Sequence, residues 1–149
     1  MTDPTKWILQ SGALTRSYFV IDQACVDTKQ TDVVISANFT SLNGLSSLLV
    51  RRQNGGNYWG LFYDTVRNGW QMDKVLGGPD QFQGPLLPGS IGIVSLSAKG
   101  NTITAVGPRG DVFSVTDPAL NTQTQACLVL DGDGTNASTV KSWKATSVI

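Results

Sequence analysis

The stretch from Gly44 to Gly78, GLSSLLVRRQNGGNYWGLFYDTVRNGWQMDKVLGG, constrains the fold more than any other part of the chain. It holds three short apolar runs. Leu48 to Arg52 ends at Gln53-Asn54-Gly55-Gly56, Tyr58 to Tyr63 ends near Asn68-Gly69, and Trp70 to Val75 ends at Gly77-Gly78-Pro79. Asn and Gly tolerate the positive φ of a primed turn, so Asn-Gly between aromatic and β-branched runs signals a hairpin. The centre is therefore predicted to be a three-stranded antiparallel meander. In its middle strand Asn57, Trp59, Leu61 and Tyr63 share one face, and Tyr58, Gly60 and Phe62 the other, because strand side chains alternate.

The remaining sequence keeps the same rhythm. No run of ten or more residues carries apolar positions at helical spacing, and short runs recur at intervals of about 10 residues. Tyr18 to Ile21 is one such run. Asp32 to Phe39 puts Val33, Ile35, Ala37 and Phe39 on one face. Ile91 to Ala98 sets Ile91, Ile93 and Ser95 opposite Val94 and Leu96. Thr102 to Val106 and Asp111 to Thr116 form a hairpin across Gly107-Pro108-Arg109-Gly110, and Gln125 to Leu130 is a further strand. The last, Val140 to Thr146, is predicted to set Val140, Ser142 and Lys144 against Lys141, Trp143 and Ala145. Pro79 to Ser90 holds three prolines and is predicted to be a loop, pinned by Phe82, Leu86 and Leu87. Roughly ten strands in one layered domain follow, an all-β antiparallel sandwich over 15–149. Residues 1–14 form an N-terminal arm in which Trp7, Ile8 and Leu9 are too apolar to leave in water, so they are the candidate partner-binding anchors.

The inventory excludes much chemistry. The chain of 149 residues has no Glu and no His, and all 11 of its acids are Asp. Acid–base and nucleophilic catalysis draw mostly on His, Glu, Cys and Lys, so a non-enzyme is expected. Net charge is zero with a pI near 6.1, and Arg51-Arg52 is the one adjacent basic pair, so no nucleic-acid partner is expected. No apolar run approaches the roughly 18 residues of a membrane span. The N-terminus, MTDPTKWILQSGALTRS, lacks a basic n-region, a long apolar stretch and an A-x-A site, and does not read as a signal peptide. Cys25 and Cys127 are read first as small buried hydrophobes with reduced thiols, and otherwise as a pair on neighbouring strands. Asn38-Phe39-Thr40 and Asn136-Ala137-Ser138 match the glycosylation sequon, by chance where no secretory context exists.

Taken in order, TDVVISANF, LLVRRQNGGNYWGLFYD, NGWQMDKVLGG, IGIVSLSAKGNTITAVGPRGDVFSVTD and ACLVLDGDGTNASTVKSWKA resemble concanavalin A-like lectin/glucanase sandwiches of the laminin G-like kind. The look is that of domains in bacteriophage minor tail and other virion proteins. Arg51, Asn57, Tyr58, Trp59, Trp70, Lys74, Asn101 and Ile103 stand at the places this pattern marks. The resemblance implies a two-sheet jelly-roll and a non-catalytic virion structural module, a capsid decoration or minor tail protein with weak glycan adhesion. It implies as partners the major capsid or tail proteins, further copies of itself and a host-surface glycan, and as location the virion. The alternative is a secreted carbohydrate-binding module. A glycoside hydrolase using Asp131 or Asp133 ranks third, because the glucanases' paired-Glu motif has no counterpart in a chain without Glu.

Candidate sites follow. Trp59, Tyr63 and Trp70 can stack sugar rings, with Arg51, Asn57 and Asp64 supplying directional hydrogen bonds. Against this, one face of each strand must be core, and Arg51 equally fits a buried pair with an Asp across the sandwich. Asp131-Gly132-Asp133-Gly134 resembles the start of a calcium loop, with hard oxygens at alternate positions. Ser142 stands where such a loop needs its bidentate Glu, and no helices flank it, so no cofactor is expected.

Overall fold

The computed structural model describes residues 7–10, 13–16, 22–42, 44–130 and 138–147. The described residues contain thirteen strands and no helix: β1(Trp7–Gln10), β2(Ala13–Arg16), β3(Asp22–Asp27), β4(Val33–Ser41), β5(Ser47–Gln53), β6(Asn57–Asp64), β7(Gly69–Val75), β8(Gln81–Pro88), β9(Gly92–Lys99), β10(Thr102–Val106), β11(Val112–Thr116), β12(Gln125–Leu130) and β13(Thr139–Ser147). A seven-stranded sheet runs β1-β2-β13-β4-β9-β10-β11, and a six-stranded sheet runs β3-β12-β5-β6-β7-β8. Every pairing is antiparallel. The result is the expected jelly-roll sandwich.

The meander forms as its turn residues dictate. Gly55 (φ 100°), Gly56 (φ 103°) and Asn68 (φ 53°) take the left-handed backbone between β5, β6 and β7. Trp59, Leu61, Tyr63, Trp70 and Met72 then face Val33, Ile35, Ala37, Phe39, Val94 and Leu96 of the other sheet, in one buried cluster. Both ends of this core are closed by polar contacts of buried aromatics. At one end Trp59 Nε1 donates to Ala119 O at 3.0 Å, and Lys74 lies 5.5 Å from the Trp59 ring centre while pairing with Asp117 at 2.7 Å. At the other end Trp70 Nε1 donates to Ser90 O at 3.0 Å, and the Tyr63 hydroxyl and Asn68 Oδ1 lie 2.6 Å apart. Buried indole and phenol groups need such partners.

Four expectations are corrected. First, Pro79 to Ser90 is not a loop: Gln81–Pro88 is the edge strand of the six-stranded sheet. An edge strand tolerates Pro85 and Pro88, because one side of its ladder is unpaired. Its irregular register against Trp70 and Met72 is satisfied by buried Gln71, whose Nε2 donates to Gln83 O and Gly84 O at 2.9 and 3.1 Å. Leu87 pins the strand to the core, while Phe82 is 59% exposed. Second, Val140 and Trp143 do not oppose each other. The register shifts between Val140 and Ser142, and this bulge turns both Val140 and Trp143 onto the core. Third, Cys25 and Cys127 are a disulfide and not reduced thiols; they face each other in the β3–β12 register with Cα atoms 4.1 Å apart. Fourth, a boundary between arm and domain at residue 14 falls inside β2. β1 and β2 form a hairpin that joins the seven-stranded sheet through β13. Tyr18 to Ile21 lies outside the described residues.

Candidate functional site

The structure does not gather the expected ligand residues. Trp59 and Trp70 are wholly buried and Tyr63 is 8% exposed, so no ring of the three offers a face to a sugar. Each sits on the inward side of a strand, and the core took them. Arg51 is also buried: Nε donates to Thr31 O at 3.0 Å and Nη2 to Asp32 Oδ1 at 3.3 Å, the buried pair that was the other option. Burial lowers its affinity for the proton, and Asp32 opposes that. Asp64 caps its own turn, accepting from the amides of Val66 and Arg67 at 3.0 Å and from Arg67 Nε at 2.8 Å. Asn57 ties two turns together through Gln53 and Gly77. These three polar residues build the scaffold. Asp131 and Asp133 lie outside the described residues, and among the latter no three acids, cysteines or histidines cluster as metal ligands. Trp7, Ile8 and Leu9 form β1, at the edge of the seven-stranded sheet.

What the structure does offer is an open depression of about 400 Å³ on the outer face of the seven-stranded sheet. Its lining includes Ser36 and Asn38 of β4, Ile93 of β9, and Ser142 and Lys144 of β13. The strand register sets them side by side: Ser142 faces Asn38, Lys144 faces Ser36, and Asn38 faces Ile93. Alternation forces this composition. Val33, Ile35, Ala37 and Phe39 point inward, so Ser36 and Asn38 point out. Ile93, opposite the buried Val94, is 63% exposed. Hydroxyl, amide and ammonium groups on β13 and β4 thus lie beside one exposed apolar side chain on β9. The sequence did carry a signal, in the polar half of each alternating strand. It could not show that β4 and β13 are neighbours.

The outer face of the six-stranded sheet is built differently. Leu49, Cys127 and Val129 are buried there, with Cys25 and Tyr58 packed on them. Asp73 is 2% exposed and lies across from Gly60, where a side chain would collide with Asp73 Oδ1 and Tyr58. Asp73 Oδ1 has no hydrogen-bond partner among the described residues. Burial, then the nearby Asp80 carboxylate, push the Asp73 carboxyl up to about 7. Burial also raises the Tyr58 phenol above its usual range, reinforced by Asp73 and Asp80. A smaller polar recess of about 160 Å³ lies at the sandwich rim, lined by Asp27, Arg52, Asn54, Gln123, Thr124 and Gln125. Its groups already bond one another: Arg52 to Gln125 at 2.7 Å, and Thr124 to Asp27 at 2.6 Å. The Thr124 hydroxyl, with the amide and ammonium of Lys29, holds Asp27 down to about 2.

No protein-family model matches the sequence, and no curated protein sequence matches it. Solved structures do match by shape. The carbohydrate-binding module CBM66 from Bacillus subtilis superposes with a TM-score of 0.66 at 13% identity, over 95% of this chain and 91% of that one. A β-1,3-1,4-glucanase (lichenase) from a mouse hindgut metagenome gives 0.63 at 11% identity, over 97% and 84%. The CBM2 module of the evolved Dit of Lactobacillus casei BL23 phage J-1 gives 0.55 at 14% identity, over 93% and 76%. The fold is the concanavalin A-like jelly-roll sandwich. At such identities the likeness speaks for the fold alone.

Proposed function

We propose that the chain is a non-catalytic glycan-binding module carried on the surface of a phage particle, as a capsid decoration or minor tail protein. The depression on the seven-stranded sheet carries the glycan reading. A pyranose presents hydroxyls at its edge and C–H groups on its face, and Asn38, Ser36, Ser142 and Lys144 beside Ile93 match both. Likeness to a carbohydrate-binding module supports it. The non-catalytic reading rests on a chain without Glu or His. Among the described residues the one acid with a strongly raised pKa, Asp73, is buried under the opposite sheet's outer face. The particle reading draws on the likeness to the phage Dit module and on the Cys25–Cys127 disulfide, which suits a protein working outside a reducing cytosol. On the particle, the partners would be major capsid or tail proteins and further copies of the chain. The disulfide and the likeness to CBM66 equally favour a second reading, a secreted carbohydrate-binding module.

Two measurements test this. A glycan array probed with the full chain should give selective binding that Asn38→Ala weakens; an empty array sinks the glycan reading. Mass spectrometry of purified particles should find the chain; its absence there, with array binding intact, leaves the secreted module.

A further inference from the structure

The depression lies on a sheet whose charges are all of one sign. The strands of the seven-stranded sheet contain Arg16, Lys99, Lys141 and Lys144 and no Asp. The strands of the six-stranded sheet contain Asp22, Asp27, Asp64 and Asp73 beside Arg51, Arg52 and Lys74. A chain of zero net charge has therefore segregated it. The basic groups also differ in what they do. Lys29, Arg51, Arg67 and Lys74 are each paired with an Asp within 3.3 Å. Among the described residues no such pair involves Lys144, which stands on the rim of the depression opposite Ser36.

We infer that the depression selects an anionic glycan, one whose carboxylate or phosphate is met by Lys144 while its hydroxyls are met by Asn38, Ser36 and Ser142. This rests on the glycan reading above and names the ligand class of the same site. An unpaired ammonium beside neutral hydroxyls and an amide gives an anion one strong charge-assisted contact. With no carboxylate on this sheet's strands, nothing in them opposes the anion's approach, and Lys99 and Lys141 add to the same field. Ile93 keeps the sugar face in apolar contact. A neutral sugar would use the same hydrogen bonds and leave the ammonium to water.

Calorimetric titration of the full chain tests this with three probes: a uronic-acid oligosaccharide, its carboxyl-reduced neutral counterpart, and the neutral oligosaccharide bearing a phosphate monoester. The acidic oligosaccharide should bind about tenfold more tightly than the reduced one. That advantage should vanish in Lys144→Gln, an exposed position whose variant keeps its unfolding midpoint. It should also shrink as ionic strength rises from about 0.01 M to about 1 M, where the Debye length falls from about 30 Å to about 3 Å. Tighter binding of the phosphorylated oligosaccharide than of the uronate, again lost in Lys144→Gln, assigns the anion as phosphate and keeps the inference. Equal binding of the acidic and reduced sugars overturns the inference and leaves the glycan reading standing. Failure of every probe, together with an empty array, overturns both.

Discussion

The two outer faces of this sandwich obey the same alternation and end in opposite states. On the seven-stranded sheet the outward positions are small and polar, such as Ser36, Asn38, Ser95, Ser97, Thr104 and Ser142, and they stay open to solvent or half-open. On the six-stranded sheet the outward positions hold Leu49, the disulfide, Tyr58, Gln71 and Asp73, and most are closed. Phe62 and Phe82 stack at 5.6 Å over that side, with Arg67 5.9 Å from the Phe82 ring centre. The six-stranded sheet is thus buried on both faces across its middle, which is why β5 reads as a continuous apolar run. One face staples the sheet and the other stays open. A residue's side of the sheet, more than its chemical type, decides whether it is available to a ligand: the aromatics best suited to sugars went inside.

The largest test of this division is the disulfide. It closes a loop of 102 residues at one edge of the stapled face, where the edge strand β3 pairs with β12. Constraining so long a loop stabilises by about 2–5 kcal/mol. Denaturant unfolding with and without reductant should differ by that amount, while the oxidised and reduced folded forms bind the same glycan equally. A change below about 1 kcal/mol would show that the face holds together without its staple.

Asp73 comes next, and its effect depends on pH. Its carboxyl titrates near 7 in the folded chain against an ordinary 3.8, so the folded state keeps a proton that the unfolded state releases. Stability must then fall as pH rises from about 4 to about 7, by on the order of 4 kcal/mol, and level off above. Asp117 works the other way. The Lys74 hydrogen bond holds it below the usual range, so its contribution is lost as pH falls below about 4. Maximum stability is expected in mildly acid solution. Asp73→Asn should flatten the fall and stabilise the chain at pH 8; urea unfolding midpoints that rise through pH 4.5 to 7 would refute the assignment.

Local signals made the fold legible. Asn-Gly and Gly-rich turns fixed β5 to β7, and strict alternation fixed the inward set of β4 and β9. Misreadings came where a distant partner decided the outcome. β8 looks like a loop because its prolines are judged alone; Gln71 and the edge position make it a strand. The bulge after Val140 has no glycine to announce it, so plain alternation puts Trp143 and Val140 on opposite faces. Cys25 meets Cys127 only once β3 pairs with β12. The depression is not legible in the sequence for the same reason: its rungs join strands from opposite ends of the chain. The expected binding aromatics failed because aromatic rings serve core and sugar alike, and only burial separates the two.

Gly60 tests how tightly the stapled face is filled. A methyl there would press on Asp73 Oδ1 and lie 2.9 Å from Tyr58 Cε1. Asp73 is fully enclosed and cannot swing away cheaply. Gly60→Ala should therefore cost about 1–3 kcal/mol, read as a lowered unfolding midpoint. Near-neutral behaviour would mean that Asp73 has room to move, and the cause of its raised pKa would weaken with it.

The smallest effect on stability is expected on the opposite face. Asn38 is half-buried at the floor of the depression, where its neighbours are Ser142 and Ile93 and its side chain supports no turn. Asn38→Ala should leave stability within about 0.5 kcal/mol of the parent. It should nevertheless weaken glycan binding about threefold to tenfold, the worth of one neutral hydrogen bond. Gly60→Ala supplies the converse, a loss of stability with affinity retained at temperatures where the variant is folded. If Asn38→Ala unfolds the chain as readily as Gly60→Ala does, the seven-stranded face is structural as well. If Asn38→Ala changes neither stability nor affinity, the sugar sits elsewhere, and the polar recess at Arg52 and Gln125 becomes the place to look.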